Sequence, residues 1–100
     1  MGKRDIWAVA GFTCKKGASE EMKKHLRVLV TEVRKEHGCL FDDCLQDAKN
    51  PLAFLFVEHW ETPEDFDAHV NGAPAKRWAE ATGHMIDIPV DIRILKEIWG

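Results

Sequence analysis

The spacing of apolar residues changes period several times along the chain, and each change marks an element. Ile6–Thr13 is rich in apolar and β-favouring residues and predicts a first strand, closed by a turn at Lys15-Lys16-Gly17. From Ser19 to His37 the residues Met22, Leu26, Leu29, Val30 and Val33 recur at helical spacing and form one apolar stripe. Glu20 and Glu21 stand in its first turn and Arg34 and Lys35 in its last, as the helix dipole favours, and Gly38 is the natural stop. Cys39–Gln46 has strand character, and Asp47–Pro51 is a polar turn. Leu52–Glu61 carries the strongest strand pattern: alternation puts Phe54, Phe56, Glu58 and Trp60 on one face and Leu55, Val57 and His59 on the other. Thr62-Pro63-Glu64-Asp65 supplies a cap, a proline at the first helical position and then acids. It predicts a short helix with Phe66 and Val70 that pauses at Asn71-Gly72. A second helix, from about Pro74 to Thr82, carries Trp78. Val90–Trp99 alternates again, with Val90, Ile92, Ile94 and Ile98 on one side, and predicts a last strand.

Strand, helix, strand, strand, helix, strand is the split βαβ plan, an α+β, ferredoxin-like fold whose antiparallel sheet carries its helices on one face. Both faces of the third strand are apolar, so something other than this chain's helices must cover the second. A second copy is the economical answer, which makes a homodimer the expected state.

Composition narrows the function classes. At 100 residues there is room for one domain (1–100, core about 6–98) and not for a second core. With 45% hydrophobic and 31% charged residues the chain is neither low-complexity nor wholly disordered. Fourteen basic against 17 acidic residues leave a net charge of −3, which disfavours nucleic acid as a partner. The longest unbroken apolar run, Leu52–Val57, falls far short of the ~20 residues a membrane helix needs. Gly2-Lys3-Arg4-Asp5 does not read as a signal peptide, and Ile6 stands where a myristoylation signal wants Ser or Thr. Three cysteines argue against a disulfide framework. In an extended strand Cys39 and Cys44 would lie roughly 16 Å apart on opposite faces. Reduced thiols and a cytoplasmic location are expected. No His-x-x-x-His, Cys-x-x-Cys or glycine-rich phosphate loop occurs, so neither a metal nor a phosphate cofactor is expected. Lys15, Lys16, Lys23, Lys24 and Arg27 read as a solvated basic face.

Three segments carry a resemblance: Lys16-Gly17 before the amphipathic helix; Gly38-Cys39-Leu40 leading to Gln46-Asp47; and Phe54-Leu55-Phe56-Val57-Glu58-His59-Trp60-Glu61 followed by Phe66-Asp67-Ala68-His69. In this order, from about Ile6 to Ile98, the chain resembles the antibiotic biosynthesis monooxygenase (ABM) superfamily of dimeric α/β-barrel proteins. The resemblance implies two sheets packed face to face across a homodimer. It also implies one of several chemistries: oxygenation of quinols or polyketide anthrones without metal or flavin, haem degradation, or isomerisation and clearance of small signalling molecules. Haem-degrading relatives use an Asn, a Trp and a His. Trp60 matches the Trp, but Ala10 and Ala79 stand near the other two positions, which disfavours haem. The chain has no Tyr, which some anthrone oxygenases use. Asp42, beside Phe41, occupies a position that is aromatic in many members, and Pro74 stands where many carry a second His.

Cofactor-free oxygenation requires a flat pocket, a base, stabilisation of the substrate anion and exclusion of water. His69 is the first candidate base, since histidine titrates near neutral pH and the family pattern puts one here; it can equally cap a carbonyl or pack on Trp60. Trp60 is the expected flat wall, with Phe54 and Phe56 on the same strand face, a stripe that also reads as plain core. Glu58 on that apolar face needs a partner, Arg93 or His69, or else serves as an acid or base. Asp42 shares a strand face with Leu40 and Cys44. Pointed inward it is a second base or a hydroxyl-binding group, and one register away it is a surface acid. Cys44 reads as a small apolar filler near the site, and Trp78 as a lid at the helix–sheet junction. The expected activity is therefore a cofactor-independent monooxygenase acting on a quinol-like or polyketide aromatic with O2. The alternatives are an isomerase or degradative enzyme for a small oxygenated metabolite, which would turn over without oxygen, or a non-catalytic small-molecule-binding module.

Overall fold

The computed structural model describes residues 4–99; Gly2 and Lys3, read above for leader and lipid signals, lie outside the described residues. The elements follow the order β1 (Ile6–Cys14), α1 (Ser19–Val33), β2 (Cys39–Gln46), β3 (Ala53–Trp60), α2 (Pro63–Val70), α3 (Ala73–Thr82), a single 3-10 turn (Gly83–Met85) and β4 (Ile86–Leu95). The four strands form one antiparallel sheet in the order β2-β3-β1-β4. This is the α+β, ferredoxin-like arrangement.

α1 buries the stripe that its periodicity predicts, Met22, Leu26, Leu29, Val30 and Val33. It ends at Val33, so Arg34 and Lys35 follow the helix instead of completing its last turn. The chain tightens there through short-range bonds, Lys35 N–H to Glu32 O and Glu36 N–H to Val33 O, because it must reverse to enter β2. Gly38 makes that reversal at φ +81°, and its carbonyl accepts from Glu61 N–H at 2.8 Å, which ties the turn to the end of β3. α2 starts as expected: Pro63 opens the helix, and the Thr62 hydroxyl accepts from Asp65 N–H.

β4 begins four residues earlier than the hydrophobic alternation suggests and stops at Leu95, leaving Ile98 exposed. Its length is set by β1, which pairs with it from Cys14↔Ile86 to Trp7↔Leu95. Irregular register between Gly11 and Cys14 accommodates the segment holding Pro89, which has no N–H to give and sits on an edge strand.

Inward-facing Ala8, Ala10 and Phe12 of β1 and Phe54, Phe56 and Trp60 of β3 form the core beneath α1. In β2, Cys39 pairs with Trp60 and Phe41 with His59, so Leu40 is the extra residue of a bulge. The bulge resets the strand's faces. Asp42 and Cys44 point inward, opposite Glu58 and Phe56, while Leu40 does not share their face as alternation predicts. For the same reason Cys39 and Cys44 lie on one face instead of two. The sheet's other face carries exposed Phe41, Leu45, Leu55, Ile88 and Leu95.

Candidate active site

A cavity of about 250 Å³ lies between the inner sheet face and the helices. β1 contributes Ala10, β2 Asp42, β3 Phe56 and Glu58, and β4 Val90 and Ile92. Leu29 and Val33 of α1, Phe66, His69 and Val70 of α2, and Ala75, Trp78 and Ala79 of α3 complete the wall. The lining is apolar except for two carboxyls, one imidazole and one indole, and no Lys or Arg belongs to it.

The polar groups are organised around His69. Its Nδ1 lies 2.7 Å from Glu36 Oε1 and its Nε2 lies 3.3 Å from Glu58 Oε1, while its ring stacks on Trp60 with centroids 4.9 Å apart. The Trp60 indole N–H in turn donates to Glu58 Oε1 at 2.8 Å. A carboxylate at Nδ1 draws the ring hydrogen to that nitrogen and turns the Nε2 lone pair toward Glu58 and the cavity. Burial pushes the Glu58 carboxyl above its ordinary range, and His69 and the Trp60 indole pull it partly back. Glu58 and His69 thus form a buried carboxyl–imidazole pair, and the less buried Glu36 stands beyond it.

Asp42 is held differently. The Arg34 guanidinium donates to its backbone carbonyl at 2.9 Å, fixing β2 to the end of α1, but does not bond its carboxyl. The residue is 3% exposed, and Oδ2 has no hydrogen-bond partner. Burial, followed by the neighbouring Glu58 charge, pushes the carboxyl up to about 8. Trp78 packs edge-on against Phe12 and Phe56, and its indole Nε1 is likewise buried without a partner.

Of the residues singled out from the sequence, Asp42, Phe56, Glu58, His69 and Trp78 line this cavity. Three others do not. Trp60 is fully buried behind His69 and supports that ring instead of forming a wall. Phe54 and Cys44 border a separate, polar hollow with Lys23, Arg27 and Arg34, because they sit two strand residues further from the helix α2 end of the sheet. Burial pushes the Cys44 thiol up to about 12 and Cys39 to about 11, the state of inert thiols. The partner of Glu58 is His69; Arg93 pairs with Val9 on the opposite sheet face and cannot reach it. Glu36 escaped the sequence reading, since nothing in a polar segment 33 residues before His69 marks it as that ring's partner.

Residues 6–81 match the model of the antibiotic biosynthesis monooxygenase family. The chain belongs to that family. Solved structures of the same fold cover nearly its whole length. A Pseudomonas aeruginosa protein is 26% identical, with 96% of each chain covered and a TM-score of 0.88. A Nitrosomonas europaea protein is 21% identical over 99% of this chain and 95% of that one, with a TM-score of 0.91. A structure named antibiotic biosynthesis monooxygenase is 22% identical over 93% of this chain and 98% of that one, with a TM-score of 0.88. No curated protein matches the chain.

On the sheet's other face the same ABM chain carries a second histidine cluster. His59 Nε2 lies 2.6 Å from Asp5 Oδ2, its ring stacks on Trp7 at 4.0 Å, and the Trp7 indole donates to Glu97 Oε1 at 2.9 Å. Donor atoms of Asp5, His59 and Glu97 all lie within 4.8 Å of one another, close enough for a cation, although these hydrogen bonds already engage all three side chains. Among the described residues no helix is long and apolar enough to cross a membrane.

Proposed function

We propose that this ABM-family protein is a cofactor-independent monooxygenase that oxidises a small quinol-like or polyketide aromatic with O2 in the helix-side cavity. The observation that carries the reading is an apolar cavity with a buried acid–base cluster on its wall, His69 between Glu36 and Glu58. Phe56 and Trp78 offer aromatic surface to a ring, and apolar α2 and α3 side chains supply most of the remaining helix-side lining. A substrate hydroxyl gives its proton to His69 Nε2, directly or through Glu58, and Glu36 stabilises the imidazolium so formed. The resulting electron-rich anion passes an electron to O2 and the radical pair combines at a ring carbon. For a quinol the ring supplies all the electrons. One benzene-1,4-diol and one O2 give one 2-hydroxy-1,4-benzoquinone and one water. One oxygen atom stays on the ring carbon, where it displaces a hydrogen, and the other leaves as the water.

The protein is proposed to work as a cytoplasmic homodimer of single-domain chains. Support comes from the exposed apolar row Phe41, Leu45, Leu55, Ile88 and Leu95 on the face opposite the cavity, and from three cysteines that are all free thiols. Oxygen uptake by chelator-treated protein, measured with hydroquinones, naphthoquinols and anthrones, tests the activity. Enzyme-dependent uptake is expected, and His69→Ala should lower it by about 10²–10⁴-fold. Turnover of the same compounds under nitrogen, with no uptake in air, would replace this reading by an isomerase on the same acid–base pair.

A further inference from the structure

Among the described residues two buried side-chain polar atoms lack a hydrogen-bond partner, Asp42 Oδ2 and Trp78 Nε1, and both residues line the same cavity. Most buried polar groups in folded proteins are satisfied, so two exceptions at one cavity, one from the sheet and one from the helices, call for a physical explanation. Core packing gives none: the Trp78 ring is well held by Phe12 and Phe56, yet its N–H meets no acceptor. By contrast every side chain of the His69 cluster is paired.

We propose that Asp42 and Trp78 read the substrate, each bonding one oxygen of an uncharged aromatic that carries two oxygen functions on one or two fused rings. The inference rests on taking this cavity as the substrate site. Trp78 can only donate, so its oxygen partner is an acceptor, a carbonyl or a hydroxyl lone pair. Asp42 stays protonated at neutral pH, because burial and the facing Glu58 outweigh the one nearby charge, Arg34, that favours its anion. Glu58 faces it from β3, Asp43 adjoins it on β2, Glu36 follows α1, and His69 on α2 is already bound between Glu36 and Glu58. Arg34, the one cation nearby, is committed to the Asp42 backbone carbonyl and to Asp43, and Cys39 and Cys44 on the same strand face are neutral thiols. The neutral carboxyl both donates and accepts, which fits a hydroxyl or a carbonyl. An anionic ligand would meet carboxyls and no lining cation, so it is rejected. Size follows from volume. A cavity of about 150 Å³ holds a benzene and drug-sized ligands need about 300 Å³ or more. The observed 250 Å³ lies between them.

Anaerobic calorimetric titration separates this inference from the oxygenase reading, since no turnover occurs. The probes are 1,4-dihydroxynaphthalene, 1-naphthol, naphthalene and 1-naphthoate. Affinity should fall in that order, with about three- to tenfold lost per missing oxygen and naphthoate about a hundredfold or more below the diol. Asp42→Ala and Trp78→Phe should each bring the diol to the level of the mono-ol. Asp42→Asn keeps a neutral donor and acceptor and should retain affinity; it also covers the case in which the alanine variant folds poorly. Above about pH 8 the wild-type affinity for the diol should weaken, and in Asp42→Asn it should not. Naphthoate binding as tightly as the diol, or both truncations leaving the diol unaffected, overturns the inference while leaving the cavity reading intact. Binding of none of the probes overturns both. The expected order without oxygen uptake upholds the inference and removes the oxygenase.

Discussion

Two histidines on opposite faces of one sheet are built almost alike. His69 sits 2.7 Å from a carboxylate and stacks on Trp60; His59 sits 2.6 Å from a carboxylate and stacks on Trp7. Both are buried, at 9% and 5% exposure. What differs is the surroundings of the second ring nitrogen and the shape of the space beside it. His69 has a second carboxylate, Glu58, at Nε2 and a cavity in front; His59 lies on an open sheet face and borders none of the described hollows. A carboxylate–imidazole–indole stack is therefore no mark of chemistry by itself. Concavity and a second acid–base partner are what the role proposed for His69 rests on, and His59 borders no such space.

The comparison breaks most visibly if the two residues are exchanged in role. His59→Ala removes a buried ring and strips Asp5 and Trp7 of their neighbour. It should lower stability by about 3 kcal/mol, read as a fall in the melting midpoint of more than about 10 °C. Oxygen uptake per folded molecule should stay within about threefold of wild type. A His59 variant that melts normally but loses uptake would place the chemistry on the opposite sheet face.

The distinction was only half legible in the sequence. Alternation along β3 assigned Glu58 and Trp60 to one face and His59 to the other, and the elements follow the predicted order, because period-2 and period-3.6 patterns report burial directly. Glu36 and Asp5, the partners that define the two clusters, were invisible: contacts across 33 and 54 residues leave no local pattern. The bulge at Leu40 was equally hidden, since one extra residue in an eight-residue strand looks like ordinary alternation, yet it decides that Asp42 points inward. Trp60 misled for the opposite reason. A large aromatic beside a carboxylate looks like a ligand wall, but α2 lays His69 over its face, so the histidine meets the cavity and the tryptophan does not.

Asp42 sharpens the contrast within the cavity, because it is buried as deeply as either histidine and has no partner. Its folded-state pKa of about 8 lies above the unfolded carboxylate value. Between roughly pH 4 and pH 8 the folded chain holds a proton that the unfolded chain has released, so Asp42's contribution to stability is fullest at low pH and declines as pH rises through this window. Asp42→Asn abolishes the effect. Its melting midpoint should match wild type near pH 4 and exceed it increasingly up to pH 8, by an equivalent of about 5 kcal/mol, then level off. A pH-independent difference would mean that the carboxyl is solvated or paired in solution. A residue kept at a stability deficit on a cavity wall is the pattern expected of a binding group.

A third histidine supplies the control, and the smallest effect. His37 Nδ1 lies 2.9 Å from Asp65 Oδ1, the same contact again, but the ring stacks on no aromatic and its side chain is 91% exposed. The hydrogen bond to Asp65 raises the His37 pKa, and the same bond lowers that of Asp65. The two shifts act at opposite ends of the pH scale. The His37 contribution is full below its ordinary value near 6.5 and is lost as pH rises past the raised one; the Asp65 contribution is full above about 4 and is lost as pH falls through its lowered one. Both are present together only between about pH 4 and 6.5, so any difference between wild type and His37→Ala should peak there. Solvent screening limits it to a shift of about 2 °C in the melting midpoint, and added salt should erase it. A larger or salt-insensitive shift would show that the carboxylate contact alone stabilises these histidines. In that case burial and stacking would no longer explain why His59 and His69 matter and His37 does not.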